Sequence, residues 1–359
     1  MRLTPPPAED EVPGQFWKEF IRDTAPVFRL PTIEQLSRFI APTFQALVDG
    51  AKYVDDRLHE IIGELEPDVI VEDNVVGFAA LPACGRPWAR IVSCNPTEIR
   101  DPDVPPTFSG YPASDRSQWD AYWDAFREAH GELHADFSAF CRERGAPALP
   151  ELAFMFESPW LNMTIYPDEV DYARARPLPE TWHNLQASVR TTDAPYDLPE
   201  LPGEGPLVYL SLGSLGSADV DLMRTLVAEL ADAPYRVIVS KGPQHDQYEL
   251  APNMTGAEFL PQTSILPQVD LVITHGGNNT VTESLFFGKP MVILPLFWDQ
   301  YDNAQRMHDT GFGVRLDTYG HRREQLIGAI DGLLADGGLT QKLATVSTRL
   351  QAAPGTQKA

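Results

Sequence analysis

Apolar runs alternate with amphipathic segments along the second part of the chain. Residues 207–212 form a short apolar run that ends at Gly213, which is typical of a buried parallel strand. Residues 219–230 then place apolar side chains at helical spacing. The alternation continues, with strands expected at 235–240, 257–260, 270–275 and 290–294 and helices at 279–287, 300–310, 322–335 and 340–352. This succession predicts an α/β fold with a doubly wound parallel sheet, whose ligand site lies at the carboxyl ends of the strands.

The first part of the chain is less regular. Helical spacing of apolar residues predicts a helix over 33–48, which Pro42 should kink. Strands are expected at 68–71 and 89–94 with a helix at 75–84 between them, and acidic, aromatic helices are expected over 117–144. Only two clear strand candidates appear before Pro96, which is too few for an independent domain of this type, so the first part is predicted to be incomplete.

Proline marks the boundary between the two parts. Of the 33 prolines, 23 lie in the first 200 residues, and the segment 191–206 is rich in proline and glycine. Such a segment is typical of an irregular connector. The sequence therefore predicts a partial N-terminal domain at 1–190, a linker at 191–206 and a C-terminal domain at 207–359.

The strongly acidic composition limits the partners. The chain has 51 acidic and 28 basic residues, a formal net charge of −23, and the first 200 residues hold 34 of the acids and 17 of the bases. Such a chain repels phosphate backbones and anionic lipids, so neither nucleic acid nor a membrane is expected as a partner. No apolar stretch reaches the ~18 residues of a membrane span. Three cysteines without metal-binding spacing indicate a reducing compartment, and a cytoplasmic location is predicted.

The most informative cluster is a glycine-rich turn between an expected strand and an expected helix. Residues 271–274 run into His275-Gly-Gly-Asn-Asn-Thr280. Gly276 and Gly277 allow a close approach of backbone to a ligand, and the N–H groups of the following helical turn favour an anion. This turn could hold a diphosphate without a metal ion.

Plainer roles are open for the same residues. Thr280 and Glu283 have the spacing of a capping box, Asp299 precedes a helix that it could cap, and Phe259 could be a core residue. A ligand role is favoured by position. The glycine-containing turn at 213–216 and the Asp299-Gln300 pair, which suits a hydroxyl-rich sugar, both fall at the same carboxyl edge as the His275 turn.

A long ordered set of motifs resembles the nucleotide-sugar signature of the UDP-glycosyltransferase family, which includes macrolide, plant and glucuronosyl enzymes. The motifs are Phe259-Leu-Pro-Gln262, Val272-Ile-Thr-His-Gly-Gly-Asn-Asn-Thr-Val-Thr-Glu-Ser284, Gly288-Lys-Pro290, Leu296-Phe-Trp-Asp-Gln300 and Asn303. Leu210-Ser-Leu-Gly-Ser214 is similar to the phosphate loop of the family. The resemblance covers residues 205–352 and implies a GT-B fold, in which two Rossmann-like domains face each other.

The resemblance also implies roles for individual residues. Phe259 would stack on uracil, while the backbone of Leu260 reads the edge of the base and Gln262 lies near the nucleoside. The diphosphate would be held by Ser214, His275, Gly277, Asn279 and Thr280. Glu283 would bind the ribose hydroxyls, and Trp298, Asp299 and Gln300 the donor sugar. No cofactor and no metal is implied, because the UDP-sugar is a substrate.

The family is inverting, with a general base of the N-terminal domain that takes a proton from the acceptor hydroxyl. In the family this base is a histidine just after the first strand, oriented by an aspartate. Asp73 matches the aspartate, but no matching strand and histidine precede it, and His59 is a poor substitute. The helix that ends the family fold is also expected to be missing.

The sequence therefore predicts a glycosyltransferase that moves a sugar from a UDP-sugar to a hydroxyl of a small, apolar acceptor. The alternative is an inactive remnant or auxiliary subunit that binds a nucleotide sugar but lacks the base. A sugar-nucleotide epimerase is disfavoured by the Asp299-Gln300 pair.

Overall fold

The computed structural model describes residues 23–358, which form two parallel β-sheets. The first sheet contains β1 (Ile70–Asp73), β2 (Trp88–Val92), β3 (Leu161–Thr164) and β4 (Trp182–Asn184) in that order. The second sheet has the order β10-β9-β8-β5-β6-β7, with β5 (Leu207–Ser211), β6 (Arg236–Ser240), β7 (Met254–Ala257), β8 (Leu271–Thr274), β9 (Met291–Ile293) and β10 (Gly313–Arg315). Every paired strand runs parallel to its neighbour, which confirms the predicted α/β class.

Helices cover the sheets and connect the strands. The longer ones are α1 (Ala41–Leu65), α2 (Trp119–Glu143), α3 (Val220–Leu230), α4 (Asn278–Phe286), α5 (Gln300–Thr310), α6 (Arg323–Ala335) and α7 (Gly337–Ala352). One-turn helices lie at Thr32–Gln35, Ala80–Ala83, Gly213–Gly216, Gln262–Ile265 and Gly355–Lys358. Within residues 23–358, no helix combines the length and the apolar character needed to cross a membrane.

The second sheet has the buried core that its apolar runs predict. All residues of β5 and β8 are buried, because helices cover both faces of the sheet. The strand order reverses between these two strands, since β6 and β7 lie beyond β5 while β9 and β10 lie beyond β8. Such a switch point opens a crevice at the carboxyl ends of the strands, where doubly wound sheets bind ligands.

The first sheet contains two strands that the apolar pattern did not predict. β4 has only three residues, and β3 carries Asn162 and Thr164 on a buried face. The Asn162 carboxamide accepts from the backbone N–H of Ser158 and donates to its carbonyl, both at 2.8 Å, which satisfies its polar atoms inside the core. Before Pro96 the described chain has the two expected strands, β1 and β2. β3 and β4 lie after Pro96, where the sequence shows no apolar run and no strand was expected.

Two predicted elements of the connecting regions are also wrong in extent. The expected strand at 257–260 ends at Ala257, because β7 pairs with β6 only over Met254–Ala257. The expected helix at 75–84 is reduced to Ala80–Ala83. The Asn74 side chain donates to the Val76 carbonyl, and the Gly77 N–H donates to the Phe154 carbonyl of a neighbouring loop. These hydrogen bonds replace the helical ones that the sequence predicts for residues 75–79.

The kink expected at Pro42 has a specific form. A π-helical turn over Leu36–Ile40 runs directly into α1, and Pro42 lies in the first turn of α1. A π-turn is a common way for a helix to accommodate an interrupted hydrogen-bond ladder. The helix then continues to Leu65, well past the predicted end at residue 48.

The C-terminal end of the described chain returns to the N-terminal half, defined as residues 23–190. Arg349 on α7 forms a two-pronged ion pair with Glu169. Gly355 donates its N–H to the Ala187 carbonyl at 2.9 Å, and a Cβ at Gly355 would lie 2.5 Å from the same oxygen. The close approach explains why a residue without a side chain stands there.

Candidate active site

The His275 turn has the geometry of an anion site. It follows β8, Gly276 adopts φ +87°, and Gly277 is the N-cap of α4. The imidazole lies between two glycines. A Cβ added at Gly213 would lie 2.9 Å from the ring, and one added at Gly277 would lie 2.6 Å from it. Any larger residue at either position would displace the ring.

Burial determines the charge state of His275. It lowers the pKa of the imidazole to about 4, and a hydrogen bond with the Ser211 backbone offsets this only in part. The ring is therefore neutral at pH 7 and can donate an N–H. Ser214 is exposed in the one-turn helix that follows β5, and Asn279 is exposed in the first turn of α4. The turns that carry Ser214, His275 and Asn279 thus meet at the switch point between β5 and β8.

Glu283 belongs to a polar cluster and does not cap the helix. Because α4 begins at Asn278, Thr280 is its third residue, and the capping-box alternative is wrong. The Glu283 carboxylate is 3% exposed and accepts from Gln262 at 2.6 Å and from Arg190 at 2.9 Å. Gln262 also donates to the Thr280 hydroxyl at 3.2 Å. Burial raises the pKa of Glu283, while the Gln262 hydrogen bond and the Arg190 charge lower it.

Phe259 and Leu260 lie in the loop after β7. The Phe259 ring is 64% exposed, so the alternative of a core phenylalanine is wrong. An exposed ring next to Gln262 is free to stack on a planar ligand. Leu260 is half-buried behind it.

Asp299 and Gln300 open α5, and neither side chain caps this helix. Asp299 occupies the N-cap position, but its carboxylate instead accepts the Asn95 N–H at 2.9 Å. The capping alternative for Asp299 is therefore wrong. Burial raises the pKa of this carboxyl to about 7. The Gln300 carbonyl oxygen accepts the N–H groups of Leu296 and Phe297 at 3.1 and 3.2 Å, which shapes the turn.

Trp298 stands at the junction of both halves. Its backbone is left-handed, with φ +60°, and its ring packs 5.3 Å from Phe44 and 4.6 Å from Phe108. Phe44 and Phe108 also line a cavity of about 70 Å³ in the N-terminal half. An aromatic wall thus connects the turn at 298–300 with that cavity.

Comparison with known proteins identifies this C-terminal arrangement. The family model described as UDP-glucoronosyl and UDP-glucosyl transferase matches residues 196–352, which contain all of these turns. Residues 196–352 are therefore similar to the UDP-glycosyltransferase family. This confirms the resemblance found in the sequence.

Curated relatives share this region. UDP-glucuronosyltransferase 3A1 of Bos taurus is 30% identical over 172 residues, which is 46% of this chain and 30% of that protein. Zeaxanthin glucosyltransferase of Pseudescherichia vulneris is 27% identical over 313 residues, 84% of this chain and 75% of that protein. The chain thus spans about a third of the first of these relatives and three quarters of the second.

Solved structures support the GT-B fold of the chain. The glycotransferase of kitacinnamycin superposes with a TM-score of 0.68 at 21% identity, over 88% of this chain and 80% of that one. The glycosyltransferase VinC, solved in complex with dTDP, superposes with a TM-score of 0.59 at 18% identity, over 96% of this chain and 79% of that one. At these identities the likeness establishes the fold.

The residue matched to the family's aspartate lies next to the His275 turn. Asp73 ends β1, is exposed and accepts from the Ser93 hydroxyl at 2.6 Å. The Ser93 carbonyl accepts from the Asn278 side chain at 2.7 Å. Within residues 23–358, no histidine hydrogen-bonds to Asp73, and His59 instead lies 3.7 Å from Asp55 on α1.

Several residues that contact the site were not identified from sequence motifs or spacing. Arg190 reaches Glu283 from the segment before β5, and Asn95 joins Asp299 from the loop after β2. Glu72 and Arg90 face each other across β1 and β2, and Arg90 pairs with Glu98 beside the aromatic cavity. These contacts join residues far apart in the chain, and spacing cannot show them.

Proposed function

We propose that this protein is a glycosyltransferase that transfers a sugar from a UDP-sugar to a hydroxyl group of a small, apolar acceptor with inversion at the anomeric carbon. The observation that carries the proposal is the meeting of the His275 turn, the Asp299-Gln300 turn and Asp73 at one crevice between the sheets. The match of residues 196–352 to the family model supports the nucleotide-sugar donor.

The donor end of the crevice suits a nucleoside diphosphate. Phe259 offers an exposed ring for the base, and Glu283 offers a carboxylate for the ribose hydroxyls. The N–H groups at the start of α4, together with neutral His275, would bind the diphosphate and stabilise its charge as it leaves. Asp299 and Gln300 would bind the sugar.

The acceptor would bind at the aromatic cavity, whose volume of about 70 Å³ would hold only part of such a molecule. Phe44, Phe108, Phe126 and Phe154 line it, and its polar lining residues are Arg90, Glu98, Arg100 and Thr107. A largely apolar wall with few polar groups favours an apolar molecule that carries a hydroxyl. The acceptor oxygen would attack the anomeric carbon from the face opposite UDP, forming the new glycosidic bond as the bond to the diphosphate breaks.

A second candidate function is binding without turnover. It is favoured by one observation: Asp73 accepts the Ser93 hydroxyl, and no imidazole in the described part of the chain contacts this carboxylate. Without a general base, the acceptor hydroxyl would lose its proton slowly, at a cost of about 10²–10⁴-fold in rate. The chain would then act as a nucleotide-sugar-binding subunit.

The two functions are separated by measuring UDP binding by calorimetry and UDP release from UDP-glucose with a panel of phenolic acceptors. Binding with acceptor-dependent UDP release supports the transferase. Binding without release in all acceptors supports the binding subunit. If calorimetry detects no UDP binding, both proposals fail.

A further inference from the structure

Asp302, one turn after Asp299 on α5, connects the two halves through three hydrogen bonds. Its carboxylate is 2% exposed. One oxygen accepts the Phe108 N–H at 2.6 Å and the Thr97 hydroxyl at 2.9 Å, and the other accepts the Gly110 N–H at 2.8 Å. All three donors belong to the N-terminal half, and Arg315 adds a further contact from the C-terminal half by donating to the Gly110 carbonyl at 2.6 Å.

The segment needs this support because its backbone is unusual. Phe108 has φ +65°, a left-handed conformation that costs a residue with a side chain about 1 kcal/mol or more. Gly110 has φ +61°, and a Cβ there would lie 2.7 Å from the Tyr301 Cβ. The carboxylate satisfies two N–H groups that this tight turn points towards α5.

What Asp302 holds is the wall of the aromatic cavity. Thr107 and Phe108 line that cavity, and the Phe108 ring packs against Trp298. Trp298 directly precedes the Asp299-Gln300 turn proposed for the donor sugar. The same first turn of α5 therefore carries the groups for the sugar and the carboxylate that shapes the acceptor cavity.

We propose that Asp302 is a positioning residue that couples the donor-sugar turn to the acceptor cavity, so that an occupied donor site stiffens the cavity wall at 107–110. This rests on the proposed function, because it assigns the donor sugar to Asp299 and Gln300. The coupling runs through rigid contacts: three hydrogen bonds from Asp302 and the packing of Trp298 on Phe108.

The test is hydrogen exchange of the peptide spanning residues 104–111, with and without UDP-glucose. In the wild-type chain, UDP-glucose should slow exchange of this peptide by about fivefold or more, the lower end of typical coupling between sites. In Asp302→Asn the protection should be lost, because the carboxamide has only one acceptor oxygen and its NH₂ group cannot accept the remaining N–H. The calorimetric UDP affinity of this variant should stay within about twofold of wild type. Asp309→Asn is the matched control: it lies on the same helix, is exposed and bonds only Gln305, so coupling should persist.

Other outcomes overturn the proposal in distinguishable ways. If wild-type chain binds UDP-glucose but exchange of the peptide is unchanged, the coupling is absent and the proposed function survives. If wild-type chain does not bind UDP-glucose at all, the proposed function fails and the coupling with it. Should Asp302→Asn not fold, Thr97→Val removes only the hydroxyl donor, and full protection in that variant would overturn the role of Asp302.

Discussion

Two buried carboxylates, Glu283 and Glu72, have opposite surroundings. Glu283 is paired with Arg190 and Gln262 at the proposed ribose site. Glu72 is 4% exposed, and neither of its oxygens has a hydrogen-bond partner within the described residues. A buried carboxylate with hydrogen-bond partners can stay ionised at little cost in folding free energy. A buried carboxylate without such partners destabilises the fold whenever it is ionised.

Replacing Glu283 by alanine should weaken UDP binding by about tenfold, or about 1.4 kcal/mol, because the ribose hydroxyls lose their acceptor. Calorimetric titration with UDP measures the change. Asp193→Asn is the control, since Asp193 is the other ion-pair partner of Arg190 and lies outside the proposed ribose contact. A wild-type UDP affinity in Glu283→Ala would remove Glu283 from the ribose site.

Glu72 should make the protein less stable as pH rises. Burial raises its pKa from 4.5 to about 7, so between these values the folded state binds a proton that the unfolded state has released. This contribution is fully present below pH 4.5 and is lost as pH rises through 7. The free energy of unfolding of Glu72→Gln, relative to that of wild type, should therefore be roughly 2–3 kcal/mol higher at pH 8 than at pH 4. Urea unfolding at both pH values measures it, and a pH-independent difference between the two proteins would contradict the prediction.

At the scale of single elements, α4 and the turn before it act as one unit. Gly277 of this turn and Gly213 after β5 lie on either side of the His275 ring, and the first turn of α4 presents N–H groups beside it. The helix begins where it does because Gly277 serves as the N-cap without a side chain. A side chain at this position would change the diphosphate site without touching the hydrophobic core.

Gly277→Ala should therefore reduce UDP affinity by about tenfold or more, because the new methyl group would push His275 out of place. Gly328→Ala on α6 is the control. A Cβ there meets no atom within 4 Å, so this helix should gain about 0.5–1 kcal/mol while UDP affinity stays unchanged. Equal UDP affinity in both variants would show that His275 does not contact the diphosphate.

The elements that the sequence predicts well are those buried on both faces. β5 and β8 are continuous apolar runs, and α5 begins at residue 300 and ends at 310 as expected. β3 has no such run because it contains buried polar residues such as Asn162, which local hydrogen bonds satisfy. β4 has only three residues, and none of them is fully buried. Likewise the family motif identifies Asp299, but not that Asn95 holds it, since that contact depends on how the halves pack.

At the scale of the whole molecule, the carboxyl edges of the two sheets face each other. Asn278 at the start of α4 donates to the carbonyls of Ser93 and Ile165, which follow β2 and β3. A diphosphate would bind on the C-terminal side of this junction, where helix N–H groups provide the positive potential in a chain with a net charge of −23.

UDP binding should need no divalent cation, because the N–H groups at the start of α4 and of His275 would stabilise the diphosphate charge that a metal ion would otherwise neutralise. Calorimetric titration of UDP with and without EDTA tests this, and the two dissociation constants should agree within about twofold. A loss of binding in EDTA would show that the diphosphate is held through a metal.

Cys94 gives the junction of the halves a built-in reporter. Cys94 is partly exposed, but desolvation of its thiol, with the carboxylates of Asp299, Glu98 and Asp73, raises its pKa far above the ordinary value. Alkylating reagents attack the thiolate, so Cys94 should remain unmodified while the halves are in contact. Separation of the halves would expose the thiol further and lower its pKa. The rate at which maleimide labels Cys94 would therefore report how often the two halves separate.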